Sequence, residues 1–120
     1  PLPGLAAELL WLNVDVLVAV TTNAAPAAKQ STAAVPIVFM GVTDPIGARL
    51  ARSLSRPGGN STGITNMAAT LTGKRLELLK DSFPKIRRVA VLWDPQAPGS
   101  TPQWNESQQP ARELGLEFIR

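Results

Sequence analysis

At 120 residues the chain has the size of one ordinary domain, and its 44% hydrophobic content can build a core. Cysteine and histidine are both absent, which removes disulfides, thiolate nucleophiles, Cys/His metal sites and every histidine-dependent triad. The net charge is +3, but the cations are scattered as Arg49, Arg52, Arg56, then Lys74, Arg75, Lys80, then Lys85, Arg87, Arg88. With no aromatic residues interleaved to stack on bases, they read as solvated faces and not as a nucleic-acid groove. No stretch approaches the roughly 18 apolar residues of a membrane-crossing helix, and residues 1–10 lack the pattern of a signal peptide.

Leu5, Leu9 and Leu12 recur at helical spacing and predict a helix over 3–12 with one apolar stripe. Val14-Asp15-Val16-Leu17-Val18-Ala19-Val20 is a run suited to a parallel strand buried on both faces. Thr21-Thr22-Asn23 supplies capping residues for an Ala-rich helix through Gln30, with Pro26 early in it. Residues 36–42 form a second apolar run of strand length, completing a βαβ unit. A right-handed connection then brings the Thr21–Asn23 and Thr43-Asp44-Pro45 loops to the carboxyl edge of one sheet, where ligands of open α/β sheets bind.

Residues 45–55 read as a short helix, and Arg56-Pro57-Gly58-Gly59-Asn60 is the strongest turn signal in the chain. Asn60-Ser61-Thr62 matches a glycosylation sequon, but a turn here wants Asn for its own hydrogen bonds. Residues 61–66 read as a short extended segment. Leu76, Leu79 and Phe83 stripe a helix from about Thr70 to Pro84. Arg88-Val89-Ala90-Val91-Leu92-Trp93 is a third buried-type strand, followed by Asp94-Pro95 and a helix capped by Ser100 or Thr101 with Pro102 at its first position. Gly115 ends that helix, and residues 116–119 start a fourth strand.

Six ordered blocks then carry a resemblance: residues 14–19, Pro36-Ile37-Val38-Phe39, Asp44-Pro45, residues 56–63 (RPGGNSTG), residues 73–80 (GKRLELLK) and residues 88–93 (RVAVLW). Together they resemble the ABC-transporter substrate-binding proteins related to tryptophan- and tyrosine-binding lipoproteins, over essentially the whole chain. The resemblance implies an α/β fold of Rossmann-like parallel sheet units, part of a two-lobed type I periplasmic-binding-protein fold. It places residues 1–60 in the later part of the first lobe, 61–69 in a crossover segment and 70–120 at the start of the second lobe. The implied function is capture of a small polar solute, an amino acid being the leading candidate. Delivery would be to an ABC permease from a periplasmic or lipid-anchored position, with no catalysis, cofactor, metal or nucleic acid.

The candidate ligand-binding residues are Thr21, Thr22, Asn23, Thr43, Asp44, Asn66, Trp93 and Asp94. Thr21, Thr22 and Asn23 lie where free helix N–H groups and hydroxyls can hold a carboxylate, against the plainer role of capping the helix. Asp44 and Asp94, each before a proline, can receive a ligand ammonium or simply close an Asx turn. Trp93 can wall the cleft or complete the core.

Two rivals share the strand–helix alternation. A Rossmann enzyme is disfavoured, because the loop after Val20 contains no glycine and no Gly-x-Ser-x-Gly occurs. The effector-sensing domain of a transcription regulator has the same fold, and fold analogy does not separate the two. Strand edges beside residues 14–20 and 116–119 are expected to favour self-association, and the chain alone is expected to bind solute more weakly than millimolar.

Overall fold

The computed structural model describes residues 1–119, which divide into two compact units, Pro1–Asn66 and Met67–Arg120. In the first unit the apolar periodicities become α1 (Leu2–Trp11), β1 (Leu17–Val20), α2 (Thr21–Ser31), β2 (Ile37–Val42) and β3 (Ser61–Thr65). The strands lie in the order β1-β2-β3. All pairings are parallel, with Leu17 opposite Ile37 and Ile37 opposite Ser61. The expected βαβ unit is therefore β1-α2-β2, and residues 61–65 add a third strand to its sheet.

One face of this sheet builds the core. Leu17, Ala19, Ile37, Phe39 and Val42 pack with Ala25 and Ala28 of α2 and with Leu50. Alanine on the inner face of α2 lets the helix backbone close onto the strands. Ile37, Leu50 and Val42 are the largest fully buried side chains, each contributing about 1.5–3 kcal/mol through burial. The other face departs from the expectation of a strand buried on both sides. Val18 and Val20 are 60% and 56% exposed, and Met40 and Ile64 are exposed beside them, because α2 packs on β1 and β2 from one side. In α1 the packing residues are Ala6 and Leu10, while the Leu5, Leu9 and Leu12 stripe stays exposed.

The helix expected over 45–55 does not form. Residues 45–49 make turns, closed by the Leu50 N–H on the Pro45 carbonyl at 2.8 Å. Arg49 has a left-handed φ of 57°, which ends any right-handed helix at that point.

The Pro-Gly-Gly-Asn turn is explained by a polar latch at the amino edge of the sheet. Asn60 donates through Nδ2 to the carbonyls of Thr32 (3.1 Å) and Val35 (2.9 Å). Its Oδ1 accepts from Lys29 Nζ at 2.7 Å. Lys29 also donates to the Ser61 hydroxyl at 3.2 Å, and that hydroxyl donates to the Leu50 carbonyl. The amide that a sequon would offer for glycosylation is thus spent on the end of α2 and the start of β3.

The second unit holds α3 (Thr72–Ser82), β4 (Arg88–Ala90), α4 (Ser100–Glu113) and β5 (Glu117–Ile119). β4 and β5 pair in parallel, Arg88 opposite Glu117, around a core of Leu76, Ala111 and Leu116 with Ile86, Val89, Leu114 and Phe118 against it. The strand expected to reach Trp93 is shorter, although the Val91 N–H still reaches the Ile119 carbonyl at 2.8 Å. Gly99, with φ of 87°, takes the N-cap position expected of Ser100 or Thr101 and moves Pro102 to the third helical residue. Gly115 behaves as read. Its φ is 66°, and the N–H groups of Gly115 and Leu116 return to the carbonyls of Arg112 and Ala111, the Schellman pattern that satisfies a helix end.

Candidate functional site

At the carboxyl edge of the first sheet the ends of three parallel strands deliver small polar side chains. Thr22, in the first turn of α2, faces the end of β2. Its hydroxyl accepts the Thr43 N–H at 3.2 Å and lies 3.5 Å from the Thr43 hydroxyl. Thr65, at the end of β3, donates to the Val42 carbonyl at 2.7 Å. Asn66 follows, with Nδ2 donating to the Gly41 carbonyl at 3.2 Å. A bulge between Met40 and Val42, with Gly41 at φ 67°, turns these carbonyls toward β3. The edge is thus a network tied strand to strand.

Four of the candidate residues, Thr22, Thr43, Asp44 and Asn66, lie on or beside this network, and Thr21 and Asn23 flank it from α2. Neither Thr22 nor Asn23 caps α2, whose N-terminus has no side-chain cap hydrogen bond. The start of α2 therefore presents N–H groups, the partial positive end of the helix dipole, at the sheet edge. Thr21 is held at a left-handed φ of 84°, a costly conformation for a β-branched residue. Asp44 is drawn into a turn, with Oδ1 accepting the Gly47 N–H at 2.9 Å. Thr65 was not among the residues singled out from sequence. A threonine near the end of an extended segment gives no signal until that segment is known to be a sheet strand.

The carboxyl end of β4 in the second unit opens onto a cavity of about 450 Å³, lined by α3, α4 and both strands. Trp93 stacks on Trp104 with ring centroids 5.2 Å apart and planes 4° from parallel. Trp104 in turn leans on Phe118 at 5.8 Å. Arg75, Asp94, Ser100 and Gln103 supply the polar part of the lining. Asp94 Oδ1 accepts the Gln96 N–H at 2.8 Å, closing the turn before α4. The cavity is of the size that takes a small organic molecule, apolar walls with a few polar groups being the usual composition. Trp93 and Asp94 were readable as strand-end residues, whereas Arg75, Gln103 and Trp104 come from helices whose inward faces depend on tertiary packing.

Chemically, both edges offer hydrogen-bond donors, acceptors and aromatic surface. No group of three or more acidic side chains able to hold a metal occurs among the described residues, nor is any described helix long and apolar enough to cross a membrane.

Comparison with known proteins bears on what such edges do. The family model described as ABC transporter substrate binding protein matches residues 5–120. A tyrosine-binding protein of Clostridioides difficile is 32% identical over 116 residues, which are 97% of this chain and 33% of that protein. A conserved domain protein of Vibrio cholerae has a crystal structure that superposes with a TM-score of 0.88 at 30% identity, covering 98% of this chain and 40% of that one. An ABC domain from Streptococcus pneumonia, crystallised in complex with L-Trp, superposes with a TM-score of 0.84 at 29% identity over 98% of this chain and 39% of that one. The chain thus spans about a third of the length of the curated relative that it matches.

Proposed function

Because this chain belongs to the ABC transporter substrate-binding protein family, we propose that it contributes to an extracytoplasmic receptor that captures an amino acid with an aromatic side chain for an ABC permease. The observation that carries the reading is the Trp93–Trp104 stack on a cavity that Asp94, Arg75 and Gln103 also line. A flat solute ring finds an indole wall there, and its charged groups find opposite charge or hydrogen bonds. The names of the tyrosine-binding relative and of the L-Trp complex support the same ligand class.

In this reading the start of α2, with Thr21, Thr22, Asn23 and Thr43, is a donor-rich edge for a carboxylate. Asp44 and Asp94, each with one oxygen committed to a turn, offer the other to an ammonium. Asn66 belongs to the same donor set as Thr43. Binding makes and breaks no covalent bond, and the receptor works by retaining solute and handing it on. A regulator's sensing domain is the alternative by fold, but the transporter description of the matching family favours the receptor.

An exposed helix N-terminus gives a carboxylate about 0.3–1 kcal/mol, against the roughly 8 kcal/mol of micromolar binding. This chain by itself should therefore bind more weakly than millimolar. Saturation-transfer NMR with millimolar L-Tyr, L-Trp and glucose tests this: transfer to the amino acids and not to glucose, reduced in Trp93→Ala, is expected. Equal transfer to glucose, or transfer unchanged in Trp93→Ala, would sink the aromatic assignment.

A further inference from the structure

Residues 80–88 carry Lys80, Lys85, Arg87 and Arg88 against Asp81, a net +3 in nine residues, and are one of two basic stretches of the chain, the other being Arg49, Arg52 and Arg56. The 80–88 stretch forms the end of α3, the loop after it and the first residue of β4. Lys80 bends over the loop, its Nζ donating to the Ile86 carbonyl at 2.7 Å. Lys85, Arg87 and Arg88 are exposed. Among the described residues the one ion pair there is Arg88 with Glu117 at 3.8 Å, about 70% exposed on both sides, and Lys85 and Arg87 are exposed beside it. Between these cations Phe83 stands 60% exposed beside Pro84, against the expectation that it would complete the α3 stripe.

We propose that this loop docks on an anionic phospholipid surface. Cations within reach of anionic headgroups each favour binding by about fivefold, and the Phe83 ring supplies an apolar anchor of the kind that sits at the headgroup boundary. A soluble polyanion would use the charges and leave the ring idle, which is why the bilayer is the partner the patch fits. The geometry also suits a solute receptor. The loop enters β4 at its amino end, whereas Trp93 and Asp94 lie past its carboxyl end at Ala90. A surface held at the loop leaves the Trp93 cavity unobstructed.

The test is vesicle co-sedimentation of the 120-residue chain at moderate salt, with phosphatidylcholine vesicles and with vesicles containing about a third phosphatidylglycerol. At least about tenfold tighter binding to the anionic vesicles is expected. The Lys85→Gln/Arg87→Gln/Arg88→Gln variant should lose that preference, while Arg49→Gln/Arg52→Gln/Arg56→Gln, made elsewhere on the surface with the same charge change, should keep it. Phe83→Ser should weaken vesicle binding and leave binding to soluble polyphosphate unchanged. Because Arg88 also pairs with Glu117, the Lys85→Gln/Arg87→Gln variant, which spares that pair, serves as a check on folding and should lose most of the preference too. Equal loss in the two triple variants, equal affinity for neutral vesicles, or polyphosphate bound as tightly as the anionic bilayer would each overturn the proposal.

Discussion

The Thr22 hydroxyl holds the Thr43 N–H at 3.2 Å across 21 residues of sequence, fastening the start of α2 to the end of β2. Thr43 is 9% exposed, so its N–H has little access to water in place of that partner. Thr22→Val keeps the shape and removes the acceptor, and a loss of about 1–2 kcal/mol in urea unfolding is expected. Thr22→Ser should recover most of it. A fully stable valine variant would show that the contact carries no weight.

Two glycines predict opposite outcomes for the same substitution. Gly63 lies opposite Phe39 in the β2–β3 register, and a Cβ there would run into the Phe39 carbonyl. Gly63→Ala should cost about 3 kcal/mol by forcing the strands apart. Gly4 sits inside α1 with nothing near its missing Cβ, and Gly4→Ala should stabilise by about 0.5–1 kcal/mol through helix propensity. Thermal melting of both variants against the parent checks the pair, and a shift of the same sign in both would contradict it.

Ser61 is 2% exposed and holds two partners at once, donating to the Leu50 carbonyl and accepting from Lys29. Ser61→Ala strips both and should cost about 1–3 kcal/mol. Thr62→Ala, one residue along on the exposed side of the same strand, should cost much less. Chemical denaturation distinguishes them.

The near-parallel stacking of Trp93 on Trp104 should couple the two residues by about 0.5–1.5 kcal/mol in a double-mutant cycle with alanine. The near-UV circular dichroism of the chain should weaken when either ring is removed and persist in Trp11→Phe, since Trp11 is 85% exposed. Additive losses would mean the stack is geometric only.

Acid and base should affect this chain outside the physiological range. No histidine or cysteine is present, so no side chain of the type that ordinarily titrates between about pH 5 and 8 is available. Lys74 is raised above its ordinary 10.5, first by the hydrogen bond to Glu77 and then by that carboxylate's charge. A raised folded-state value means that the pair's contribution is present below pH 10.5 and fades as pH rises through the raised value. The pair is exposed on the surface of α3, so Lys74→Gln should leave the melting temperature at neutral pH unresolved from the parent. A flat melting profile from about pH 5.5 to 8 is expected.

The elements that follow from short-range pattern were legible in the sequence. The periodicities of α1 and α3, the apolar runs of β1 and β2 and the Gly115 stop each depend on residues within a turn or two. The misreadings concern what lies beyond that range. Residues 45–55 have helical composition, yet Arg49 sits at positive φ and the Leu50 N–H returns to the Pro45 carbonyl, a turn geometry that propensity does not encode. The one-sided burial of β1 depends on which helices pack on it. The Thr22–Thr43 contact was legible only as two loops at one edge, and Gln103 and Arg75 not at all, because a helix residue faces a cavity only once its partner helix is in place. The family resemblance, by contrast, was carried by ordered blocks along the chain and agrees with the match over residues 5–120.

The alternation of β1 and β2 has a consequence for how the gene can drift. Leu17, Ala19, Ile37 and Phe39 are buried, whereas Val18, Val20 and Met40 are exposed and Val38 is partly so. Permissiveness to substitution should therefore follow the parity of the residue number. Over residues 17–20 and 37–40, even positions should accept threonine, lysine or glutamate at little cost and odd ones only apolar side chains of similar volume, the bulge at Gly41 then returning Val42 to the core. A saturation library read out by expression would print that two-residue rhythm directly onto the sequence.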